Sequence, residues 1–288
     1  MNCLAPSPLE TLASALVQGA RLELHLTPKP GLVDRADCGS HPDLSIAIME
    51  RSIDYVSGYL DETLVSLAAG QSFAHQKAIG VRAERRLLGE LGTNTHKGFI
   101  FLSGMLLIAR WHAASADERT IRSALCTLSD EFFRNADELS TNGRLARTKY
   151  QAGGIVVESV NGFPSVFDEG LPVFRRAMQQ HGCFEAASFA LLARLMQTVD
   201  DTTTLHRAGA VGLSRVKRDG LALEQIVAAG DDYLAFLREL NRSYVQANIT
   251  IGGVADMLGI AYGVLLAGGE ISSELATALP AQPPTTKR

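Results

Sequence analysis

The stretch that most constrains the fold is Phe99 to Ala109, which reads Phe-Ile-Phe-Leu-Ser-Gly-Met-Leu-Leu-Ile-Ala. Wound as a helix it is apolar on nearly every side, and such a helix belongs inside a large core rather than on a surface. The segment before it is its opposite: Gly92-Thr93-Asn94-Thr95-His96-Lys97-Gly98. Asn94 or Thr95 can cap the helix. The free N–H groups and the dipole at that end then attract anions. Lys97 adds a positive charge and His96 a donor. Two readings stand side by side: an ordinary capped core helix, or the floor of a cleft that holds phosphate. The expected architecture is one all-α domain over residues 1–278, built around a buried central helix at 95–112, with a disordered tail at 279–288.

The flanking segments support a helical chain. Ser7-Pro8-Leu9-Glu10 is a capping box with proline in the first helical position. The helix it starts carries Leu12, Leu16, Ala20 and Leu24 at helical spacing, and Pro28 and Pro30 stop it. Helices are expected at about 44–69, 73–91, 117–139, 165–180, 184–198, from 201 onward, 221–240 and 254–267. Residues 154–160 are β-branched enough for a strand. A lone strand would have nothing to pair with, so helix is preferred there.

Composition narrows the partners. Net charge is −4 with no basic block, which argues against nucleic acid and anionic membranes. The four cysteines are scattered and form no Cys-x-x-Cys pair, as in a reducing cytoplasm. No basic region followed by an apolar core opens the chain, and the longest apolar run is shorter than the ~20 residues of a membrane span.

Polar groups gather at five element ends, each beside glycine or proline. They are Lys29-Pro-Gly-Leu-Val-Asp34 with Ser40, His41 and Asp43; Asn94 to Lys97; Glu158 with Gly162-Phe-Pro164; Asp200-Asp201-Thr-Thr-Thr-Leu-His206-Arg207; and Gly252-Gly-Val-Ala-Asp256. Each has a plain structural reading as well: a solvated loop, a helix cap or a satisfied core histidine. Asp200 and Asp201 can hold Mg²⁺, an ion that prefers oxygen ligands shared with substrate phosphates. Neither a P-loop nor a Gly-x-Gly-x-x-Gly turn occurs, so any nucleotide is bound by an all-helical route.

Taken in order, Lys-Pro-Gly-Leu-Val-Asp, Gly-Ser-His-x-Asp, Asn-Thr-His-Lys-Gly, Glu-x-x-x-Gly-Phe-Pro, Asp-Thr-x-x-Leu-His-Arg and Gly-Gly-x-Ala-Asp resemble the triphosphoribosyl-dephospho-CoA synthase family over roughly residues 20–265. Ile48 to Ser52 looks closer to its malonate decarboxylase branch than to its citrate lyase branch. The chain departs from the family pattern at Ser40, Thr203, Ala208 and Val254, where Ala, Asn, Gly and Ser are usual.

The resemblance implies a reaction of ATP with 3′-dephospho-CoA. The 2′-hydroxyl of dephospho-CoA attacks C1′ of the ATP ribose and adenine leaves. The product is the precursor of a prosthetic group, so a downstream phosphoribosyl-dephospho-CoA transferase and an acyl carrier protein are expected partners, and a homodimer is an expected assembly. ATP is then a glycosyl donor with an oxocarbenium-like transition state.

Lys97, Arg207 and the helix start at 94–98 are expected to hold the triphosphate, with Mg²⁺ on Asp200 or Asp201. Lys29, His41, Asn94, Thr95 and Asp256 complete the expected substrate-binding set. Asp34 or Glu158 is the expected base, and His96, His41 or His206 the group that assists adenine departure. A Mg²⁺-dependent ADP-ribose-type glycohydrolase and a non-catalytic nucleotide-binding protein are the alternatives.

Overall fold

The computed structural model describes residues 7–93, 95–134, 149–150, 152–272 and 274, and among these every regular element is helical. In chain order they are α1 (Pro8–His25), α2 (Ile46–Ala68), α3 (Phe73–Leu91), α4 (Lys97–Ala113), α5 (Glu118–Arg134), α6 (Gly154–Val160), α7 (Leu171–His181), α8 (Phe184–Thr198), α9 (Thr202–Ala229), α10 (Tyr233–Gln246) and α11 (Gly252–Ala267). A π-helical turn, Ser165–Gly170, leads into α7. The segment at 154–160 is therefore helix, as preferred, and the all-α reading holds. The tail at 279–288 lies outside the described residues.

Local sequence explains most boundaries. Both halves of the Ser7–Glu10 capping box are made at the start of α1. Ser45, Ser72 and Asp232 cap α2, α3 and α10 through their side chains. The helix expected at 221–240 is instead two. Gly230, at φ 73°, ends α9 in the left-handed conformation, and the Asp232 carboxylate starts α10. Within α9 the backbone breaks at Gly209 (φ 65°, ψ −169°), a conformation in which side-chain-bearing residues are strained.

Two helices, rather than one, hold the centre. In α4, Phe99, Ile100 and every residue from Leu102 to Ala109 are buried. In α11, Val254, Met257 to Gly263 and Leu265 are buried. Helix α1 lies along α11, and the two backbones nearly touch: a Cβ built on Gly19 would stand 2.3 Å from the Gly259 carbonyl oxygen. Helices α2, α3 and α5 flank α4, while α7, α8 and α9 pack from the other side. One apolar cluster runs through this arrangement from Leu12 to Ile271. Among the described residues no single helix is long and apolar enough to cross a membrane.

Candidate functional site

The loop after α1 is folded onto the rest of the chain by its own polar groups. The Lys29 ammonium is buried and donates to the Glu23 carbonyl oxygen and to Glu23 Oε1, both at 2.5 Å. The Lys29 backbone N–H donates to Asp34 Oδ2 at 2.7 Å, and Asp34 Oδ1 accepts from the Ala36 N–H at 2.7 Å. Asp34 thus organises the loop with both oxygens. Burial raises its carboxyl above the ordinary carboxylate range against the pull of these N–H groups.

Asn241 of α10 clamps the same loop by accepting from the Gly31 N–H and donating to Asp37. Farther on, the Ser40 hydroxyl donates to the Ile249 carbonyl at 2.6 Å. Arg207 donates to the Ser40 carbonyl at 2.6 Å and lies 3.3 Å from His41 Nδ1. His41 Nε2 is 2.7 Å from the Thr250 hydroxyl. With Arg207 as donor on one side, Nδ1 accepts and Nε2 carries the proton. Burial, with Arg207 nearby, pulls the His41 imidazole down to about 4, so it is neutral at pH 7.

A second arm comes from α2. The Ser52 hydroxyl sits 2.5 Å from the Thr95 hydroxyl and 2.6 Å from His96 Nδ1. It fixes the ring and leaves Nε2 as its other polar atom. His96 is the N-cap of α4 and makes no side-chain cap bond; Thr95, one of the two expected caps, is turned to Ser52, and Asn94, the other, lies outside the described residues. Burial, with the Lys29 charge, pulls the His96 imidazole to about 4.

These arms line a small cleft of about 70 Å³ between α1, α4 and α11. Its polar wall is Glu23, His41, Thr95, His96 and Asp256, and Leu32, Val33, Leu44, Met49 and Phe99 make much of the rest. Asp256 reaches the start of α4 because residue 98 is glycine: a Cβ there would fall 2.1 Å from Asp256 Oδ2. The Phe99 amide favours the Asp256 anion, but burial, with the charges of Glu23 and Asp201, pushes the carboxyl well above its ordinary range.

Other expected site residues lie elsewhere. Lys97 is half exposed and ion-paired with Glu84 at 3.0 Å on α3, so it leaves the cavity instead of entering it. A first-turn side chain on a buried helix still has an outward direction, and Lys97 takes it. His206 is exposed. Glu158 is buried, but it accepts from the Ser165 N–H and hydroxyl, which fastens the π-helical turn. Arg207 clamps the loop beside the cavity without lining it.

The aspartate pair splits. Asp200 turns to Lys217, 2.7 Å away, and Asp201 is buried as the cap of α9. Asp201 Oδ1 accepts from the Thr203 and Thr204 N–H groups at 2.8 and 2.9 Å, and Oδ2 from the Val254 N–H at 3.0 Å. Carboxylate oxygens so occupied are poor metal ligands, and among the described residues no three His, Cys, Asp or Glu side chains converge as a metal cage. The pair does not fit a resident Mg²⁺.

Sequence reasoning missed Glu23, Ser52 and Thr250. A signal existed for the first: Glu23 falls three residues after Ala20 and seven after Leu16, on the apolar stripe of α1, where a charged residue has no solvent to face.

Comparison with known proteins places the whole assembly. The family described as ATP:dephospho-CoA triphosphoribosyl transferase matches residues 9–274. The 2-(5''-triphosphoribosyl)-3'-dephosphocoenzyme-A synthase of Klebsiella pneumoniae is 30% identical over 274 residues, covering 89% of this chain and 91% of that one. Proteins named as probable synthases of the same kind from Pseudomonas putida and Pseudomonas paraeruginosa are 31% and 32% identical, each covering 86% of this chain and 91% and 88% of their own. No solved structure matches.

Proposed function

This chain belongs to the ATP:dephospho-CoA triphosphoribosyl transferase family, and from that premise we propose that it joins the triphosphoribosyl group of ATP to the 2′-hydroxyl of 3′-dephospho-CoA and releases adenine. The observation that carries the reading is the cavity itself. Its polar wall draws Glu23, His41, His96 and Asp256 from stretches more than 200 residues apart in sequence, and it joins neutral imidazoles to carboxyl groups in an apolar enclosure. Those are the groups a glycosyl transfer uses: a base for the attacking hydroxyl and donors for the departing base. Phosphoryl transfer would call for a different apparatus, a phosphate cradle and clustered cations at the reacting centre.

Mg²⁺ enters this reading as the counter-ion of the triphosphate, carried in with the nucleotide, since Mg²⁺ commonly keeps substrate phosphates and waters among its ligands. The product serves as the precursor of an acyl carrier protein's prosthetic group in a malonate decarboxylase, with a citrate lyase as the other destination. A separate phosphoribosyl-dephospho-CoA transferase attaches it downstream.

Incubation with ATP, Mg²⁺ and 3′-dephospho-CoA, followed by chromatography, tests the reaction. Adenine is expected in step with a triphosphoribosylated dephospho-CoA, and only when both substrates are present. ADP or phosphate instead of adenine overturns it. Adenine without acceptor points to a glycohydrolase, and ATP binding without turnover to a non-catalytic protein.

A further inference from the structure

Two carboxyl groups share the cavity, and their surroundings differ in one decisive respect. Glu23, on α1, has the Lys29 ammonium 2.5 Å from Oε1. Asp256, on α11, has only the Phe99 amide in its favour, while Glu23 and Asp201 both act on it as negative charges. Asp34 adds a further negative charge near Glu23, and Lys29 also acts on His96. Among the described residues, the cation that acts on this pair therefore sits on Glu23. A proton held between two nearby acids goes to the one without the cation, here Asp256. Asp256 has no structural task like that of Asp201, whose oxygens are taken by backbone N–H groups, and Glu23 accepts from Lys29 at Oε1.

Resting on the reaction proposed above, we propose that Glu23 and Asp256 are its base and acid: Glu23 takes the proton of the attacking 2′-hydroxyl, and Asp256 gives one to the departing adenine. The balance is complete. The C1′–N9 bond of ATP breaks and its electron pair leaves with the base. A bond forms between C1′ and the acceptor oxygen, whose proton passes to Glu23. The Asp256 proton passes to an adenine nitrogen, so adenine leaves neutral. Glu23 ends protonated and Asp256 ionised, and one proton returned between them resets the site. Burial raises the Glu23 carboxyl while Lys29 works against that shift, which makes it a stronger base than an exposed glutamate.

The pair makes a prediction that a merely structural role would not. N7-methyl-ATP carries its positive charge on the base already, so its methyladenine departs without a proton. Glu23→Gln and Asp256→Asn are each expected to keep ATP affinity and to lose about 10²–10⁴ in kcat with ATP. N7-methyl-ATP is expected to restore Asp256→Asn to within tenfold of the wild type and to leave Glu23→Gln impaired. The alkaline fall in wild-type kcat/KM, from ionisation of Asp256, is expected to vanish in Asp256→Asn with the methylated donor, while the acid fall, from protonation of Glu23, remains.

Glu23→Gln leaves the buried Lys29 ammonium without its counter-charge. If that variant does not fold, Glu23→Gln/Lys29→Met carries the same comparison. Either variant keeping kcat within threefold of wild type overturns the assignment, as does rescue of both or of neither. A wild-type protein that binds ATP and dephospho-CoA without releasing adenine overturns the proposed reaction instead.

Discussion

Asp201 and Asp256 are both aspartates set among buried helix starts, yet they live in opposite chemical settings. Asp201 spends its two oxygens on the N–H groups of Thr203, Thr204 and Val254 and so ties the first turns of α9 and α11 together. Asp256 meets one favourable amide, two negative neighbours and an open cavity. Burial pushes both carboxyls up; at Asp201 the surrounding N–H groups push back. Burial therefore does not separate a structural carboxylate from a reactive one. The number of fixed donors does, because each stabilises the anion and removes an oxygen from chemistry.

The hardest test of this contrast leaves both aspartates in place. In Gly98→Ala the new methyl would meet Asp256 Oδ2 at 2.1 Å and must displace it. Adenine release is expected to fall about 10³-fold, or roughly 4 kcal/mol of barrier. The melting temperature should stay within a few degrees, since alanine favours a helix by about 1 kcal/mol over glycine. Wild-type turnover in Gly98→Ala would show that the position of Asp256 is immaterial and erase the contrast.

Asp201→Ala should do the reverse. It strands three buried N–H groups, for a loss of about 3 kcal/mol and a fall in melting temperature of roughly 6–12 °C. Turnover per folded molecule should change by less than threefold. A stable but inactive Asp201→Ala would move Asp201 across to the reactive class.

The smallest effect is expected at Lys97→Ala. Its half-exposed pair with Glu84 is of a kind worth about 0–1 kcal/mol. Calorimetric titration should find ATP affinity unchanged. A tenfold loss would bring the phosphates back to the start of α4 and give Asp256 a cationic neighbour.

The capped start of α1, the loop at 28–42 and the buried run after Gly98 were legible because they depend on short-range chemistry: a capping box, two prolines, an unbroken apolar stretch. Direction was not. Lys97 and Asp256 each read as charges at a helix start, and only packing tells that one faces α3 and the other the cavity. Gly98 read as a bracket around a polar cluster, whereas its use is to make room for a carboxylate from a helix 150 residues away. Likewise Asp200 and Asp201 looked like a pair, and the chain turn between them sends one to Lys217 and the other to α11. One departure from the family pattern has a partner here too: the Ser40 hydroxyl holds the Ile249 carbonyl.

The contact between Gly19 and Gly259 reaches further than packing. Glu23 stands one helical turn beyond Gly19, and Asp256 about one turn before Gly259, so both carboxyls project from the same seam. The distance between the two backbones is thereby a gauge for the distance between the two reacting groups. Any side chain placed in that seam would work as a shim, prising base from acid while every residue that touches substrate stayed unchanged.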